Sequence, residues 1–596
     1  MGKLKMQERS FRFLAAVAVT AGFIFAASTS PVSDSVVPVR TASTVRRIAA
    51  APEEVLENGF TVRLKIDFTQ AAAEENLYSL GPVRLRLRLA GQNDELAGYD
   101  LKHGNYLNFP MKDGSCPVVE AVIAEKAGRV GVPLSLFAAT GGVHTVTIDY
   151  SPVRWAIVAG GNVDEDFPVP ACPVKWPADA VERLVSPRVR SAVFTTPSDP
   201  DAVPRLAAPK PIVRPIQYWT PDGFNQWVGD VAPGTFNGRL HLFYLSDRRH
   251  HSSGDGTGRH QFMHLVSDDL KRWTELPAAV SIAENWQTCG TGTPFLKDGK
   301  LALAFGWHTS RYPQIKGKPL GGTYALSDDG VQFKNSGVMI TDAQNPSIYN
   351  LPGGGYELVT SYGGTIGIYR SADLLDWKLH DDNLPFRGDC PSLFDWHGRR
   401  YLLQGFFRMA YNPDGRVGGF TDWTNEPDKL YDGLSVPMVA EWKDDRRLYI
   451  GWLNHLWGWG GWLVFREAVY HPDGRLGLKW VPEIDPPVPP RSFRVEASGA
   501  FSLRFKSLSG APDLVLGVDP AKRAAYWKDD VENPDFSKPH RGENVLIGAM
   551  RGLDSAYTVK VIVYYDAKAD ATLFDAEIAG DRTLICRRKG RYKNDK

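Results

Sequence analysis

The stretch GTFNGRLHLFYLSD, residues 234–247, decides the fold of this chain. It has an apolar strand end, a tight turn at Asn237-Gly238 and a second strand rich in aromatic residues, a pattern typical of a β-hairpin. Related units recur after it at intervals of roughly 45 to 60 residues, a spacing that indicates a repeat architecture. The later copies are PFLKDGKLALAFGWH (294–308), SIYNLPGGGYELVTSY (347–362), SLFDWHGRRYLLQGF (392–406) and VAEWKDDRRLYIGWL (439–453).

A repeat of this length that contains only strands predicts the blades of a β-propeller. We therefore expect an all-β protein with a five-bladed β-propeller at residues 213–485. The innermost strand of each blade faces a central channel, so residues that lie far apart in the sequence meet there. Such a channel is where catalytic side chains are expected.

The regions on either side of the repeats alternate apolar and polar residues, as β-strands do. FTVRLKIDF and VRLRLRLAG lie within residues 55–171, and YTVKVIVYYD and ATLFDAEI lie within residues 491–596. We expect an antiparallel β-sandwich in each region, so that the propeller is flanked by an N-terminal and a C-terminal β-sandwich. Residues 172–212 are rich in Pro, Val, Arg and Ala, and we expect a linker there.

The N-terminus has the three parts of a secretory signal peptide. Basic residues at Lys3, Lys5, Arg9 and Arg12 precede an apolar run from Phe13 to Ala27, and small residues follow. This pattern predicts a signal peptide at residues 1–28, a spacer at 29–54, and a secreted or periplasmic protein. The alternative is a membrane anchor formed by the same segment left uncleaved, although the run is short for a membrane span.

Composition excludes several classes of partner. The 69 Lys and Arg residues balance 68 Asp and Glu residues, which leaves a net charge of +1. Without a long charged run, no nucleic acid or membrane surface is an expected partner of the mature protein. The five cysteines form neither a disulfide framework nor a CxxC metal motif; a bond between Cys116 and Cys172 is an open alternative. We expect no cofactor and no metal.

Two of the predicted inner strands begin with an acidic residue. Blade one opens with FNQWVGDVAP, which contains Asp230, and blade four opens with RGDCPSLF, which contains Asp389. Two carboxylates at one channel suit glycoside hydrolysis, in which one attacks the anomeric carbon and the other protonates the leaving oxygen. Taken singly, each aspartate is equally well explained as a turn or cap residue.

The five units and their motifs resemble glycoside hydrolase family 32, the β-fructosidase, invertase and levanase group. QWVGDVAPGTFNG stands where the family has a W-x-N-D-P-N-G motif, MHLVSDDLKRW is similar to its G-H-A-x-S-x-D-L-x-x-W motif, and Asp389-Cys390-Pro391 is similar to its E-C-P motif. The resemblance covers roughly residues 213–590. It is strongest to a divergent bacterial branch with an additional N-terminal lectin-like sandwich.

The resemblance implies roles for individual residues. Asp230 matches the nucleophile and Asp389 matches the acid/base, which is a glutamate in the family. Asn345 occupies the position of the aspartate that stabilises the transition state. An amide there carries no charge, and the side chain of Asp389 is one methylene shorter than glutamate. Further substrate-binding candidates are Gln226, Trp227, Asp247, Arg248, His264 and Arg387.

The resemblance further implies an exported hydrolase that cleaves fructosyl linkages in fructo-oligosaccharides, sucrose-type sugars or fructans by a retaining mechanism. Two alternatives stay open. The Gln344-Asn345 pair favours a carbohydrate-binding protein without turnover, a degenerate hydrolase. A hydrolase of another furanoside, such as an arabinofuranoside, would share the scaffold, because fold alone does not determine the substrate.

Overall fold

In the residues that it describes, the computed structural model consists almost entirely of antiparallel strands, with a single-turn helix, α1 (Ser135–Ala138). It describes residues 5–6, 45–47, 55, 57–71, 74–91, 113–124, 128–138, 141–151, 154–160, 162–166, 176–199, 202, 209–223, 226–248, 260–282, 287–309, 320–340, 343–362, 365–386, 389–405, 408–423, 432–456, 459–484, 491–529, 545–547, 553 and 555–594. The predicted all-β class is therefore confirmed.

The N-terminal region forms two antiparallel sheets around one apolar core. The first sheet has the strand order β10-β9-β8-β3-β12 and the second has the order β2-β11-β4-β5-β6-β7. Their strands are β2 (Val45–Arg47), β3 (Phe60–Asp67), β4 (Glu75–Leu80), β5 (Val83–Gly91), β6 (Ser115–Ile123), β7 (Gly128–Pro133), β8 (Val143–Ser151), β9 (Arg154–Ala159), β10 (Asn162–Asp166), β11 (Val181–Leu184) and β12 (Val189–Thr195).

The predicted linker at 172–212 is wrong over β11 and β12. β11 pairs with β4, and β12 pairs with β3 along most of its length, so both strands belong to the N-terminal sheets. Apolar and polar residues do not alternate regularly in β11 and β12, and the pairing with β4 and β3 determines their conformation. Cys116 is buried with a free thiol, and Cys172 lies outside the described residues.

The repeat region forms five successive groups of strands, which we call sheets I to V; sheets I and V are joined by hydrogen bonds into one continuous sheet. Sheet I contains β13 (Lys210–Ile212), β14 (Gln226–Phe236), β15 (Arg239–Arg248), β16 (Gln261–Ser267) and β17 (Trp273–Val280). Sheet II contains β18 (Gln287–Gly290), β19 (Pro294–Lys297), β20 (Lys300–Thr309), β21 (Gly321–Ser327) and β22 (Lys334–Ile340).

The remaining three sheets have four strands each. They are sheet III with β23 (Gln344–Asn350), β24 (Tyr356–Tyr362), β25 (Thr365–Ser371) and β26 (Lys378–Asp381), sheet IV with β27 (Pro391–Trp396), β28 (Arg399–Gln404), β29 (Arg408–Asn412) and β30 (Thr421–Asp422), and sheet V with β31 (Ser435–Trp442), β32 (Arg446–Asn454), β33 (Gly461–Tyr470) and β34 (Leu476–Lys479).

One inner strand from each of the five sheets takes part in a closed ring. β14 contacts β19, β19 contacts β23, β23 contacts β27, β27 contacts β31, and β31 contacts β14. Sheets I and V are joined further by the pairing of Val228 with Gly461. This closure brings residues separated by more than a hundred positions to a shared centre.

Polar turns with the pattern Ser-x-Asp end the third strands of sheets I and III. In SDDLKRW, the Ser267 hydroxyl accepts a hydrogen bond from the Leu270 amide at 2.8 Å, and Asp269 accepts one from the Arg272 amide at 2.8 Å. Ser371 and Asp373 bind backbone amides of SADLLDW in the same way. These turns have the structural role that their sequence predicts.

The C-terminal region again forms two sheets around one core. One sheet has the order β1-β35-β40-β41-β42 and the other has the order β39-β38-β37-β36-β43. The strands are β1 (Lys5–Met6), β35 (Arg491–Ala497), β36 (Phe501–Ser507), β37 (Leu514–Asp519), β38 (Ala524–Asp529), β39 (Val545–Ile547), β40 (Tyr557–Asp566), β41 (Ala571–Ile578), β42 (Arg582–Lys589) and β43 (Tyr592–Asn594).

The apolar segment of the predicted signal peptide, Phe13 to Ala27, lies outside the described residues. Within the part of the chain that the structure describes, no helix has both the length and the apolar character needed to cross a bilayer.

A buried ion network joins sheet V to the C-terminal sheets. The Arg466 guanidinium, which has no exposed surface, donates to Asp432 at 2.7 Å and to Asp575 at 2.9 Å. Tyr218 donates its hydroxyl proton to Asp575 at 2.6 Å. Because buried charges are costly unless they are paired, this network fixes how the two units are joined.

Replacing Arg466 with methionine should destabilise the protein by about 3–5 kcal/mol, because two buried carboxylates then lose their cation. Urea unfolding followed by fluorescence measures the change. The matched control is Arg494→Ala, which removes an exposed ion pair with Glu496 and should change stability by less than about 1 kcal/mol. Equal effects of the two variants would contradict a stabilising role for the network.

Candidate active site

Irregular backbone at the inner strands directs polar side chains toward the centre of the ring. The pairing of β14 shifts between Val228 and Val231, and that of β23 shifts between Gln344 and Ser347. Asn345 has a φ of 47°, and Cys390, just before β27, has a φ of 51°. β-bulges re-aim side chains, and these interruptions carry or adjoin three of the predicted site residues.

Asp230 is the buried acid of the site, with 5% of its surface exposed. Its Oδ1 accepts a hydrogen bond from the Trp452 indole at 3.2 Å, and its Oδ2 accepts one from the Thr291 hydroxyl. The Cys390 thiol lies 3.5 Å from the same Oδ2. Donors from sheets II and V, together with the thiol that precedes sheet IV, therefore hold this carboxylate of sheet I in one orientation.

Burial raises the pKa of Asp230 to about 6, and the charge of Asp389 acts in the same direction. The hydrogen bonds from Thr291 and Cys390 oppose this effect because they stabilise the carboxylate form. Asp230 is thus ionised at neutral pH and titrates in the mildly acidic range.

Asp389 is the exposed acid of the site. Its Oδ1 accepts hydrogen bonds from the backbone amide of Cys390, at 3.0 Å, and from the Nδ2 of Asn345. The Oδ1 of Asn345 in turn accepts the amide proton of Thr291 at 2.9 Å. Asp230, Thr291, Asn345 and Asp389 therefore form a continuous hydrogen-bonded group, and all three predicted catalytic positions lie in it.

Aromatic side chains form a wall next to Asp230. Trp459 stacks on His260 with ring centroids 4.3 Å apart and meets Trp452 edge-on at 5.2 Å. A Cβ atom at Gly229 would lie 1.9 Å from the Trp459 ring, so only glycine fits there. The glycine that precedes Asp230 is thus required by the packing of this wall.

Two histidines of sheets I and II also face this group. The charges of His260 and Asp389 both act on the pKa of His308, and His260 also acts on that of Asp230. Among the described residues, no group of three or more His, Cys, Asp or Glu side chains is arranged to hold a metal ion.

The interpretation of His264 as a substrate-binding residue is wrong. Its side chain has no exposed surface, because it accepts or donates a hydrogen bond at 3.0 Å to His241 and stacks on Phe243 with centroids 4.2 Å apart. Burial holds the pKa of His264 well below its usual value. His264 lies on β16, two strands away from the inner strand, and is a core residue of sheet I.

Two further predicted binding residues, Gln226 and Trp227, are also buried. The Gln226 side chain is completely enclosed, and the Ser246 hydroxyl donates to it at 3.4 Å. Trp227 packs on Trp462 of sheet V, and the Lys568 ammonium lies 4.4 Å from its ring centroid. Neither side chain belongs to the hydrogen-bonded group around Asp230, so the prediction of substrate contact is not supported for either residue.

The other three predicted substrate-binding residues are Asp247, Arg248 and Arg387. Asp247 and Arg248 end β15, where their backbones pair with Trp227 and Gln226; their side chains lie outside the described part. Arg387 also lies outside the described residues.

Four neighbours of the two acids were not predicted from the sequence: Thr291, Trp452, His260 and His308. Thr291 was recognisable, because CGTGTP opens the second unit at the point where the first and fourth units carry their acids. The others gave no such signal. Trp452 and His308 lie on β32 and β20, which pair with the inner strands, and His260 directly precedes β16.

The site and fold together define a β-protein with two carboxylates at the centre of a ring of sheets. The profile described as "Glycosyl hydrolases family 32 N-terminal domain" matches residues 225–413, which contain Asp230, Asn345 and Asp389. Residues 225–413 are therefore similar to the N-terminal domain of glycoside hydrolase family 32.

Characterised relatives are distant. A levanbiose-producing levanase of Bacillus subtilis is 24% identical over 55% of this chain and 65% of its own length. An extracellular exo-inulinase of Aspergillus awamori is 25% identical over 39% of this chain and 56% of its own length. This chain thus spans less than two thirds of either relative.

Solved structures are similar to this chain at lower identity. A β-fructofuranosidase of Bombyx mori has 17% identity and a TM-score of 0.46, and covers 66% of this chain and 91% of its own.

The buried charge of Asp230 predicts a pH-dependent effect of Asp230→Asn on stability. The folded-state pKa of about 6 exceeds the ordinary value of 3.8, so the wild type loses stability as pH rises through this window, by about 3 kcal/mol in total. In Asp230→Asn the side chain at position 230 does not ionise, so the variant does not lose stability through this titration. Urea unfolding from pH 4 to pH 8 should therefore show its relative stability increasing with pH.

The matched control is Asp298→Asn, which changes a 75% exposed carboxylate in a turn of sheet II. Its stability relative to wild type should change little with pH. If the free energy of unfolding of Asp230→Asn changed with pH in the same way as that of the wild type from pH 4 to pH 8, the buried-charge interpretation would be refuted.

Proposed function

We propose that this protein is a retaining glycoside hydrolase that cleaves fructosyl linkages in fructo-oligosaccharides, sucrose-type sugars or fructans. The observation that carries the proposal is the hydrogen-bonded group that holds a buried Asp230 and an exposed Asp389 together at the centre of the ring. The family match and the named activities of the relatives supply the substrate class.

In this mechanism Asp230 is the nucleophile. The indole of Trp452 and the hydroxyl of Thr291 orient its carboxylate, which attacks the anomeric carbon and forms a covalent fructosyl ester. Asp389, at the exposed side, gives its proton to the departing oxygen. It then takes a proton from the water that cleaves the ester, so the two displacements retain the anomeric configuration.

Asn345 occupies the third position. Its amide lacks the charge of an aspartate, but its Nδ2 donates a hydrogen bond to Asp389. A carboxylate at position 345 would repel Asp389 instead. The asparagine and the shorter acid thus form a matched pair in this chain, and in the proposed reaction Asn345 orients the acid/base.

We also propose the architecture that this function requires. Sheets I to V are the blades of a five-bladed β-propeller, residues 213–485, with the site at its central channel. The paired sheets at 55–199 and 491–596 are flanking β-sandwiches, the first lectin-like. A signal peptide at 1–28 directs the protein to the periplasm or the exterior; an uncleaved anchor is the alternative.

Incubation with a substrate panel tests the function. We expect reducing sugar to be released from inulin- or levan-type oligosaccharides, and methanol to be converted to a methyl β-fructoside because the configuration is retained. Arabinofuranosides should remain intact. Release from arabinofuranosides alone would instead establish the other furanoside activity.

Substitution of the two acids tests their roles. Asp230→Asn should reduce turnover to background, because no covalent intermediate forms. Asp389→Ala should lower kcat/KM by about 10²–10⁴-fold, the usual contribution of general acid catalysis, and azide should restore part of the rate as a fructosyl azide. Asp298→Asn is the control and should retain full activity. Unchanged turnover in Asp230→Asn would refute the assignment of the nucleophile.

The uncharged amide of Asn345 favours a second candidate, a carbohydrate-binding protein without turnover. Calorimetry with fructo-oligosaccharides distinguishes the two. Binding by the wild type without any product over days would support the second candidate, whereas product formation that depends on Asp230 supports the first.

A further inference from the structure

His308 occupies a space that two glycines leave open beside Asn345. It lies on β20, next to the cross-strand pair of Gly290 and Gly306. A Cβ atom at Gly290 would lie 2.1 Å from the His308 Nε2 and 2.5 Å from the Asn345 Oδ1. Both atoms therefore lie over the same glycine, and any larger residue would push them apart.

The Nε2 of His308 is buried and makes no hydrogen bond to the described residues, and Asn345 is the neighbouring acceptor that raises the pKa of His308. Burial lowers the pKa of His308, whereas Asp389 and Asn345 act in the opposite direction. A neutral imidazole has one N–H to donate, and the Asn345 Oδ1 is an acceptor at its side.

The orientation of the Asn345 amide determines whether its Nδ2 or its Oδ1 faces the Asp389 carboxylate. The Thr291 amide can only donate, so it binds the Oδ1 of Asn345 and leaves the Nδ2 to donate to Asp389. A flipped amide would turn its oxygen toward the carboxylate and repel it. An imidazole N–H that also faces Oδ1 favours the productive orientation.

We propose that His308 is a positioning residue for the acid/base: its imidazole fixes the Asn345 amide, and the amide fixes the Asp389 carboxylate. The inference rests on the proposed function, in which Asp389 protonates the leaving group. It explains how an aspartate replaces a longer glutamate, because proton transfer depends on a carboxyl group held at a defined position.

Leaving-group dependence tests this role. His308→Phe keeps a ring over the glycines but removes the N–H, and His308→Gln keeps a donor. For a fructo-oligosaccharide, we expect kcat/KM of His308→Phe to fall at least about tenfold, and His308→Gln to recover part of that loss. For a fructoside with a nitrophenol leaving group, which departs without protonation, both variants should remain within about twofold of wild type.

If His308 had a purely structural role, the substitutions would lower kcat/KM equally for the fructo-oligosaccharide and for the nitrophenyl fructoside. That result would overturn the proposal. Gly290→Ala, which displaces the same two atoms, should reproduce the selective loss with the fructo-oligosaccharide. Wild-type activity in the same assay reports separately on the proposed function.

Crystal structures of wild type and His308→Phe test the positioning without any turnover. In the variant, we expect the Asn345 amide to rotate or to occupy two orientations, and its hydrogen bond with Asp389 to be lost. An unchanged Asn345–Asp389 hydrogen bond in His308→Phe would overturn the proposal even if no fructoside were cleaved.

Discussion

The burial of the Asp230 carboxylate is the constraint on which the rest of the site depends. A charged group with 5% exposure is tolerated only if donors surround it, and no single sheet supplies enough of them. Thr291 comes from sheet II, Trp452 from sheet V and Cys390 from the start of sheet IV. The ring must therefore be closed before Asp230 is stabilised, which links the integrity of the fold to the geometry of the site.

The two acids differ in environment, and this difference separates their chemistry. Asp230 is enclosed and oriented by fixed donors, as suits a group that must form a bond along one direction. Asp389 is exposed and held by a backbone amide and Asn345, as suits a group that exchanges protons with a leaving group and with water. The departures from the family motifs, Asn345 and Asp389, lie around the second acid, which carries the proton transfer in the proposed reaction.

Much of the fold was predictable because the repeated hairpins carry strong local signals. Asn237-Gly238 and the aromatic strand after it specify a hairpin from neighbouring residues alone, and the Ser-x-Asp turns bind the amides that their sequence places nearby. The strands β11 and β12 were not predictable in this way. Their conformation comes from pairing with β4 and β3, more than a hundred residues earlier.

The sequence by itself determined the all-β class, the repeat of five hairpins and the recurrence of Asp230, Asn345 and Asp389 at the openings of their units. Only the tertiary structure decided which polar residues face the centre. His264 and Trp227 belong to motifs similar to those of the family, yet they are packed in cores. The physical reason is that bulges in the inner strands interrupt the alternation of side chains, and ring closure then selects which of them meet.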